Sequence, residues 1–343
     1  MKYSSILASV ACAIALAPAA LAQAEPAFNP PKTSWGAPDL QGYWSTASLT
    51  NLTRPAGATS LIVSEAERAK LFNQNIYTRV AKEEASLSKA ELLTDGNPDR
   101  AYNRFWMDPG ADLGKINGQY RSSWIVEPAN GQIPFKDGNA SVRGLSSSEE
   151  EYADRASDNP EDRGVSERCI WFGSSAGPVL NNTMYNNNLQ IVQTPDHVMI
   201  LGEMIHDVRI ISLKGERNPA SIPKWGGDSI GRYEGNTLVV ETVNVEPKQG
   251  SFISAKGKVT ERFTRAADGQ IIYQYTVEDP TLYTQPWKGE MPLNTSQGLY
   301  EYACLEGNYS MFNLLSGARA YEREGRKNGT RKAIFAGVAE AKE

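Results

Sequence analysis

The stretch "QIIYQYTVED", residues 270–279, alternates between two kinds of side chain. Successive side chains of a β-strand point to opposite faces, so residues two apart share a face. One face of this predicted strand is apolar and aromatic and carries Ile271, Tyr273, Tyr275 and Val277. The other face is mostly polar. This period of two indicates a strand with one buried and one solvated face.

Segments of the same kind follow one another over residues 186–312. They read "LQIVQT", "HVMILGE", "VRIISL", "SIGRY", "TLVVETVNV", "VTERFTRA", "QIIYQYTV" and "GLYEYACL". The connectors "KGER", "EGN" and "ADG" are typical of hairpin turns, where glycine supplies a positive φ. We predict a mainly β fold, in which an antiparallel meander closes into a lipocalin-like barrel. A β-sandwich is the second choice.

The chain outside this region has a different composition. Residues 1–24 contain an apolar run with small-residue cleavage sites after Ala22 and Ala24, which predict a secretory signal peptide. We expect residues 25–185 to form an extended arm, helices and an irregular covering segment. Residues 313–343 are expected to form a C-terminal tail.

A cleaved signal peptide places the protein in the periplasm or outside the cell. No later stretch approaches the ~18 apolar residues of a spanning helix, so no membrane span is expected. The net charge is −5, and the basic residues are scattered, which disfavours nucleic acid as a partner. The expected partner is a small-molecule ligand or substrate, and the oligomeric state stays open.

Two cysteines remain after the predicted cleavage, Cys169 and Cys304. Disulfides form and persist in exported proteins, so a single bridge between these residues is the simplest expectation. Closing so long a loop stabilises a fold by ~3–5 kcal/mol on the chain-entropy model.

The stretch "GEMIHDVRII", residues 202–211, contains one of only two histidines. In a straight strand, His206 would face the barrel lumen with the apolar residues, and Glu203, Asp207 and Arg209 would face outward. A bend at Met204-Ile205 would instead bring Glu203 and Asp207 towards the ring. A histidine in a pocket suits proton transfer, whereas the alternative is a core histidine bonded to backbone or carboxylate.

Two further residues complete the predicted catalytic group. Asp228 would orient or charge-balance His206, and Arg209 would hold an anionic or oxygen-bearing group of the substrate. The alternative role of Asp228 is to cap the turn that precedes it. Ser229 lies in a formal G-x-S-x-G match, but a hairpin follows it and both histidines precede it, which disfavours a serine hydrolase.

Aromatic residues are expected to form the wall of the pocket, because their rings contact both apolar and polar groups. The alternative is that these rings pack in the core. The pocket residues predicted on this basis are Tyr273, Tyr275, Tyr283, Trp287 and Trp225. Glu278 and Asp279 offer a carboxylate pair of the kind that glycoside hydrolases use, with turn chemistry as the alternative. "YEYACLEGNY" adds Tyr300, Glu301, Tyr302 and Glu306, which regular alternation assigns to a strand.

Metal and cofactor sites are not expected. His197 and His206 have no partner histidine at a metal-binding spacing, and no glycine-rich nucleotide motif is present. Calcium held by carboxylates stays open, although "DNPEDR" lacks the ligand spacing of an EF-hand.

The motifs together resemble a family of exported proteobacterial proteins that has no settled activity. They are "PDLQGYW", "IVQTPDHVMIL", "IHDVRII", "WGGDSIGRYEGNTLVVET", "ERFTR", "YTVEDPTLYTQPW" and "YEYACLEGN". The resemblance implies export and a β-rich body. It places six polar or aromatic residues inside family motifs, namely His206, Arg209, Trp225, Asp228, Glu234 and Tyr283. His197 stands where the resemblance predicts glycine.

We therefore expect a cofactor-independent lyase or isomerase, in which His206 acts on a small apolar or aromatic compound by acid/base chemistry. A lipocalin-like protein that binds a small ligand without chemistry is the alternative. A carbohydrate-active hydrolase that uses Glu278 or Asp279 is the third.

Overall fold

A computed structural model of the chain describes part of its length, namely residues 28–88, 91, 107–136, 157–173, 175–246, 249 and 252–325. The predicted signal peptide lies outside these residues. The described part is mainly β and contains three α-helices, α1 (Glu65–Gln74), α2 (Ile76–Ala85) and α3 (Tyr309–Arg323). No helix in it has the length and apolar character needed to cross a membrane.

Twelve strands are present in the described residues. The first four are β1 (Gly42–Ser45), β2 (Lys115–Ile116), β3 (Gln119–Tyr120) and β4 (Ile125–Glu127). The other eight are β5 (Asn188–Gln193), β6 (His197–Gly202), β7 (Val208–Ser212), β8 (Asp228–Glu234), β9 (Thr237–Val243), β10 (Lys258–Ala267), β11 (Gln270–Glu278) and β12 (Trp287–Thr295).

Nine of these strands close into a barrel, in the order β1, β5 to β12 and back to β1. The predicted lipocalin-like barrel is therefore confirmed. The strand that closes it comes from the predicted extended arm, because β1 pairs with both β5 and β12. One pair is not antiparallel: β7 and β8 run in parallel, with Ile211 opposite Ser229. Residues 213–227 supply the long return connection that a parallel pair requires.

The last barrel strand is not the one predicted. The run "GLYEYACL" is irregular, and β12 lies before it, in a stretch that contains Gly289 and Pro292. On one side β12 pairs with β11, which places Pro292 opposite Ile272. On its other side β12 pairs with β4 before Pro292 and with β1 after it, so the missing N–H of proline falls in the gap between them.

The predicted alternation along β11 is confirmed. The side chains of Ile271, Tyr273, Tyr275 and Val277 are buried, and those between them are not. The inward faces of the other barrel strands join them in one core. Residues 176–180 pack into the same core against inward-facing side chains, because the backbone N–H of Leu180 donates to the Tyr273 hydroxyl. The lumen of the barrel is therefore lined and filled by protein.

Two sequence predictions for the segments outside the barrel are confirmed. The capping-box spacing of Ser64 and Glu67 predicts a helix start, and both hydrogen bonds of the box are present at the start of α1. The predicted disulfide between Cys169 and Cys304 is confirmed, with the two Cα atoms 5.8 Å apart. This bond joins the segment after β12 to the segment that leads into the lumen.

Candidate functional site

The chain bends sharply between β6 and β7. Residues Met204–His206 form a short 3₁₀ turn, in which Ile205 and His206 adopt the left-handed region with φ of 56° and 48°. For a β-branched residue such as isoleucine this conformation is unusual and costs free energy. Backbone strain of this kind occurs often at functional sites.

The bend overturns the straight-strand prediction for His206. Its side chain is exposed, and so are those of Val208 and Ile210, whereas Arg209 and Ile211 point inward. His206 therefore does not face the lumen, and Arg209 does not face solvent. The chain does bend at Met204-Ile205, and the left-handed conformation of Ile205 and His206 shifts which residues of β7 face the core.

His206 lines a pocket of about 390 Å³ on the outside of the barrel. One wall comes from the end of β6 and the turn that follows it. The opposite wall is the irregular segment after β12, which the disulfide at Cys304 ties to Cys169. The lining residues are Leu201, Gly202, Glu203, His206, Leu299, Tyr300, Glu301, Tyr302, Ala303 and Glu306.

Glu203 is the buried carboxylate of this pocket, with 4% of the residue exposed. Its two oxygens accept hydrogen bonds from the side-chain amides of Asn186 and Asn188, at 2.6 Å and 2.7 Å. Both donors are neutral. The bend and β5 thus hold Glu203 in one orientation at the pocket wall.

Asp207 anchors the turn to the neighbouring loop. Its Oδ2 accepts from the backbone N–H of Phe172 at 2.8 Å and lies 3.5 Å from the Ser175 hydroxyl. Burial raises the pKa of Asp207 to about 6, against the opposing effect of these hydrogen bonds and of nearby His206. The same loop continues into residues 176–180 inside the barrel.

Two tyrosines give the pocket aromatic surface. Tyr300 is 76% exposed, so its ring is open to a ligand. Tyr302 is partly buried, and burial together with nearby Tyr185 raises the pKa of its phenol. Tyr302 therefore remains protonated at neutral pH and is able to donate a hydrogen bond.

Arg209 lies in the barrel lumen. Its guanidinium forms two hydrogen bonds with the carboxylate of Glu261, at 2.6 Å and 3.0 Å. The hydroxyl of Tyr273 donates to the same carboxylate at 2.8 Å. The geometry thus contradicts the predicted role of Arg209 as a substrate anchor beside His206, because its charge is already paired in the core.

Asp228 does not line the His206 pocket. Its carboxylate accepts from the backbone and side-chain amides of Asn218, at 2.9 Å and 3.0 Å, and lies 3.8 Å from the ammonium of Lys224. Asp228 therefore organises the loop before β8, which is close to its alternative role in the turn. The carboxylate that lines the pocket together with His206 is Glu203 and not Asp228.

Four of the five predicted pocket aromatics belong to the core. Tyr273, Tyr275, Tyr283 and Trp287 are buried, and neighbouring ring centroids among them are 5.4 to 5.9 Å apart. Trp225 is 38% exposed and does not line the pocket. The alternative of packed rings explains the four buried residues, since they fill the lumen instead of surrounding an open space.

The remaining candidates have structural partners. Ser229 shares a hydrogen bond with Thr242, and Glu278 pairs with Lys258 on the outer surface. Asp279 accepts from Ser254 and Thr281 in a turn. None of these three candidates lines the His206 pocket.

His197 lies at the opposite end of β6 from His206, where its backbone N–H bonds to Thr194. Within the described residues, no group of three or more His, Cys, Asp or Glu side chains is arranged to hold a metal ion.

The second wall of the pocket differs from the sequence prediction. Regular alternation predicts a strand for Tyr300, Glu301, Tyr302 and Glu306, in which alternate residues would face opposite sides. In an irregular segment all four line one pocket. The sequence feature that indicates the true position of this segment is Cys304. Its bond to Cys169 holds the segment against the chain that leads into residues 176–180.

Comparison with known proteins adds no assignment: no protein-family model, no curated protein and no solved structure matches the chain.

Proposed function

We propose that the His206 pocket is the active site of a lyase or isomerase that needs no cofactor and acts on a small, partly apolar or aromatic compound. The observation that carries the proposal is the left-handed conformation of Ile205 and His206. It puts the imidazole at the wall of the pocket that buried Glu203 also lines, and strained backbone of this kind is often found at functional sites.

The chemistry is a proton transfer at carbon. His206 would remove a proton, and the electron pair left on carbon would form a double bond. The leaving group then departs from the adjacent carbon in an elimination, or the proton returns at another carbon in an isomerisation. Tyr302 lines the same pocket and would donate a hydrogen bond to a substrate oxygen. A positioned acid or base of this kind contributes typically ~10²–10⁴ in rate.

We further propose that the protein acts after export, in the periplasm or outside the cell. The Cys169–Cys304 disulfide supports this location, because such bonds persist in oxidising compartments.

Two matched variants test the enzyme proposal, since the chain has only two histidines. A panel of small aromatic compounds with an acidic C–H bond would be incubated with the protein in D₂O and followed by ¹H NMR. We expect deuterium incorporation or conversion with the unaltered protein and with His197→Gln. With His206→Gln the rate should fall at least about 100-fold. Equal rates in the two variants would refute the role of His206.

A non-catalytic binding protein is the alternative. It predicts that a panel compound shifts the imidazole signals of His206 but undergoes neither exchange nor conversion. The outer pocket would be the binding site for this function also, and the packing of residues 176–180 into the barrel core supports that choice.

A further inference from the structure

Within the part of the chain that the structure describes, Glu203 is a buried carboxylate without a cationic partner. Among the described residues, no lysine, arginine or histidine lies within ion-pair distance of it, and its donors are the neutral amides of Asn186 and Asn188. By contrast, buried Glu261 is paired with Arg209. Buried charges in proteins are normally paired, because an isolated charge loses its hydration without compensation. Since Glu203 lines an open pocket, a ligand is able to supply the missing positive charge.

Two further acidic residues line the pocket and add to the negative charge of Glu203. Glu301 and Glu306 line it together with Glu203, and none of the described lining residues is a lysine or arginine. An anionic ligand would face these three carboxylates, and among the described lining residues His206 alone could act as a counter-charge. Like charges brought together in a partly desolvated site oppose binding, whereas a cation is attracted.

The pocket also offers a surface for the apolar part of such a ligand. Tyr300 and Tyr302 supply aromatic rings, and Leu201 and Leu299 supply aliphatic contacts. A tyrosine face attracts an organic cation through its ring quadrupole. The volume of about 390 Å³ falls in the usual range for small-molecule sites.

We infer that the ligand of the His206 pocket is an organic cation, in which a protonated amine is joined to a small aromatic or aliphatic group. This inference rests on the proposed function of the pocket and names its substrate class. The amine would lie against Glu203, with Glu301 and Glu306 adding to the attraction, and the apolar group would lie against the tyrosines.

Three probes of similar size and different charge test the inference by isothermal titration calorimetry. They are 2-phenylethylamine, a cation at pH 7, the neutral 2-phenylethanol and the anion phenylacetate. We expect the amine to bind at least about tenfold more tightly than the alcohol, and phenylacetate to bind most weakly. Added salt should weaken the binding of the amine more than that of the alcohol.

Substitutions in the pocket test which carboxylates cause the preference for the amine. Glu203→Gln should reduce the affinity for the amine about tenfold or more and leave the affinity for the alcohol nearly unchanged. Because Glu203 is buried, the exposed double variant Glu301→Gln/Glu306→Gln provides a second test that does not depend on core packing. Glu216→Gln, at an exposed residue outside the pocket lining, is the matched control.

The inference is overturned if the alcohol or the anion binds as tightly as the amine, or if none of the pocket variants changes the preference. This result is separate from the test of catalysis. Tight amine binding without a His206-dependent reaction would overturn the proposed enzyme and leave the ligand class in place. A His206-dependent reaction on uncharged compounds only would do the reverse.

Discussion

Arg209 and Glu261 face each other inside the barrel, with two N–O distances of 2.6 Å and 3.0 Å and almost no exposure of either side chain. Removing one partner of such a pair leaves the other charge buried and unpaired. We expect Glu261→Gln to lower the free energy of unfolding by about 3–5 kcal/mol. Urea denaturation measures this change.

The matched control is Glu278, on the outer face of the next strand. It pairs with Lys258 at 2.8 Å, with both side chains well exposed. Glu278→Gln should cost no more than about 1 kcal/mol, since water screens the pair. Similar losses in the two variants would mean that the buried pair contributes little to stability.

His206 provides a test of whether backbone strain is retained for function. Glycine adopts a positive φ without steric cost, so His206→Gly should raise the stability by about 0.5–1 kcal/mol while removing the proposed base. The same change at His197, within β6, should lower the stability by roughly 0.5–1 kcal/mol. Thermal or urea unfolding distinguishes them, and a loss of stability in both variants would argue against strain at His206.

The raised pKa of Asp207 leads us to expect a specific pH dependence of the free energy of unfolding. Its pKa in the folded protein is raised to about 6 from an ordinary value of 3.8, so between these values the folded state binds more protons than the unfolded state. Its contribution to stability therefore decreases as the pH rises from about 4 to 6, by on the order of 3 kcal/mol in total.

Asp207→Asn isolates this effect, because the amide oxygen can accept the same hydrogen bonds without a charge. We expect the variant to gain stability relative to the unaltered protein as the pH is raised from 4 to 7. Urea titrations at several pH values measure the difference. A constant difference across this range would contradict a raised pKa at Asp207.

The Cys169–Cys304 disulfide is expected to support both the fold and the pocket. It joins residues 135 positions apart, so the double variant Cys169→Ser/Cys304→Ser should lose about 3–5 kcal/mol of stability on the chain-entropy model. The segment that carries Tyr300 and Tyr302 would also be released from the loop at Cys169. Calorimetric titration with 2-phenylethylamine should then show weaker binding, and unchanged stability and affinity would contradict both roles.

Local patterns in the sequence were sufficient for most strands and for the first helix. The alternation in β11 identifies its buried face, and the spacing of Ser64 and Glu67 identifies the start of α1. The last barrel strand was missed, because Gly289 and Pro292 are unfavourable in most strands. They are tolerated here because the Tyr275 ring occupies the space above Gly289, and no barrel neighbour pairs at Pro292 on its open side.

The candidate site was predicted only in part. The rarity of histidine in the sequence points to His206, whereas Glu203 and Asp207 enter the sequence prediction only through the possible bend at Met204-Ile205. The pairing of His206 with Asp228 and Arg209 was not found, since those side chains bond to Asn218 and Glu261. Sequence spacing does not show which of several possible partners a charged group meets in the folded protein.

The sequence by itself determined that this protein is mainly β, because the alternation of apolar and polar residues is a local feature. It also predicted the Cys169–Cys304 disulfide, because these are the two cysteines that follow the predicted signal peptide. Only the tertiary structure decided where the pocket lies. Two left-handed residues at the end of β6 invert the faces of β7, so the lumen receives Arg209 and the outside receives His206. The other wall comes from a segment about a hundred residues later, as the positions of His206 and Tyr300 show. Contacts between such distant parts of a chain depend on the whole barrel, which no local pattern encodes.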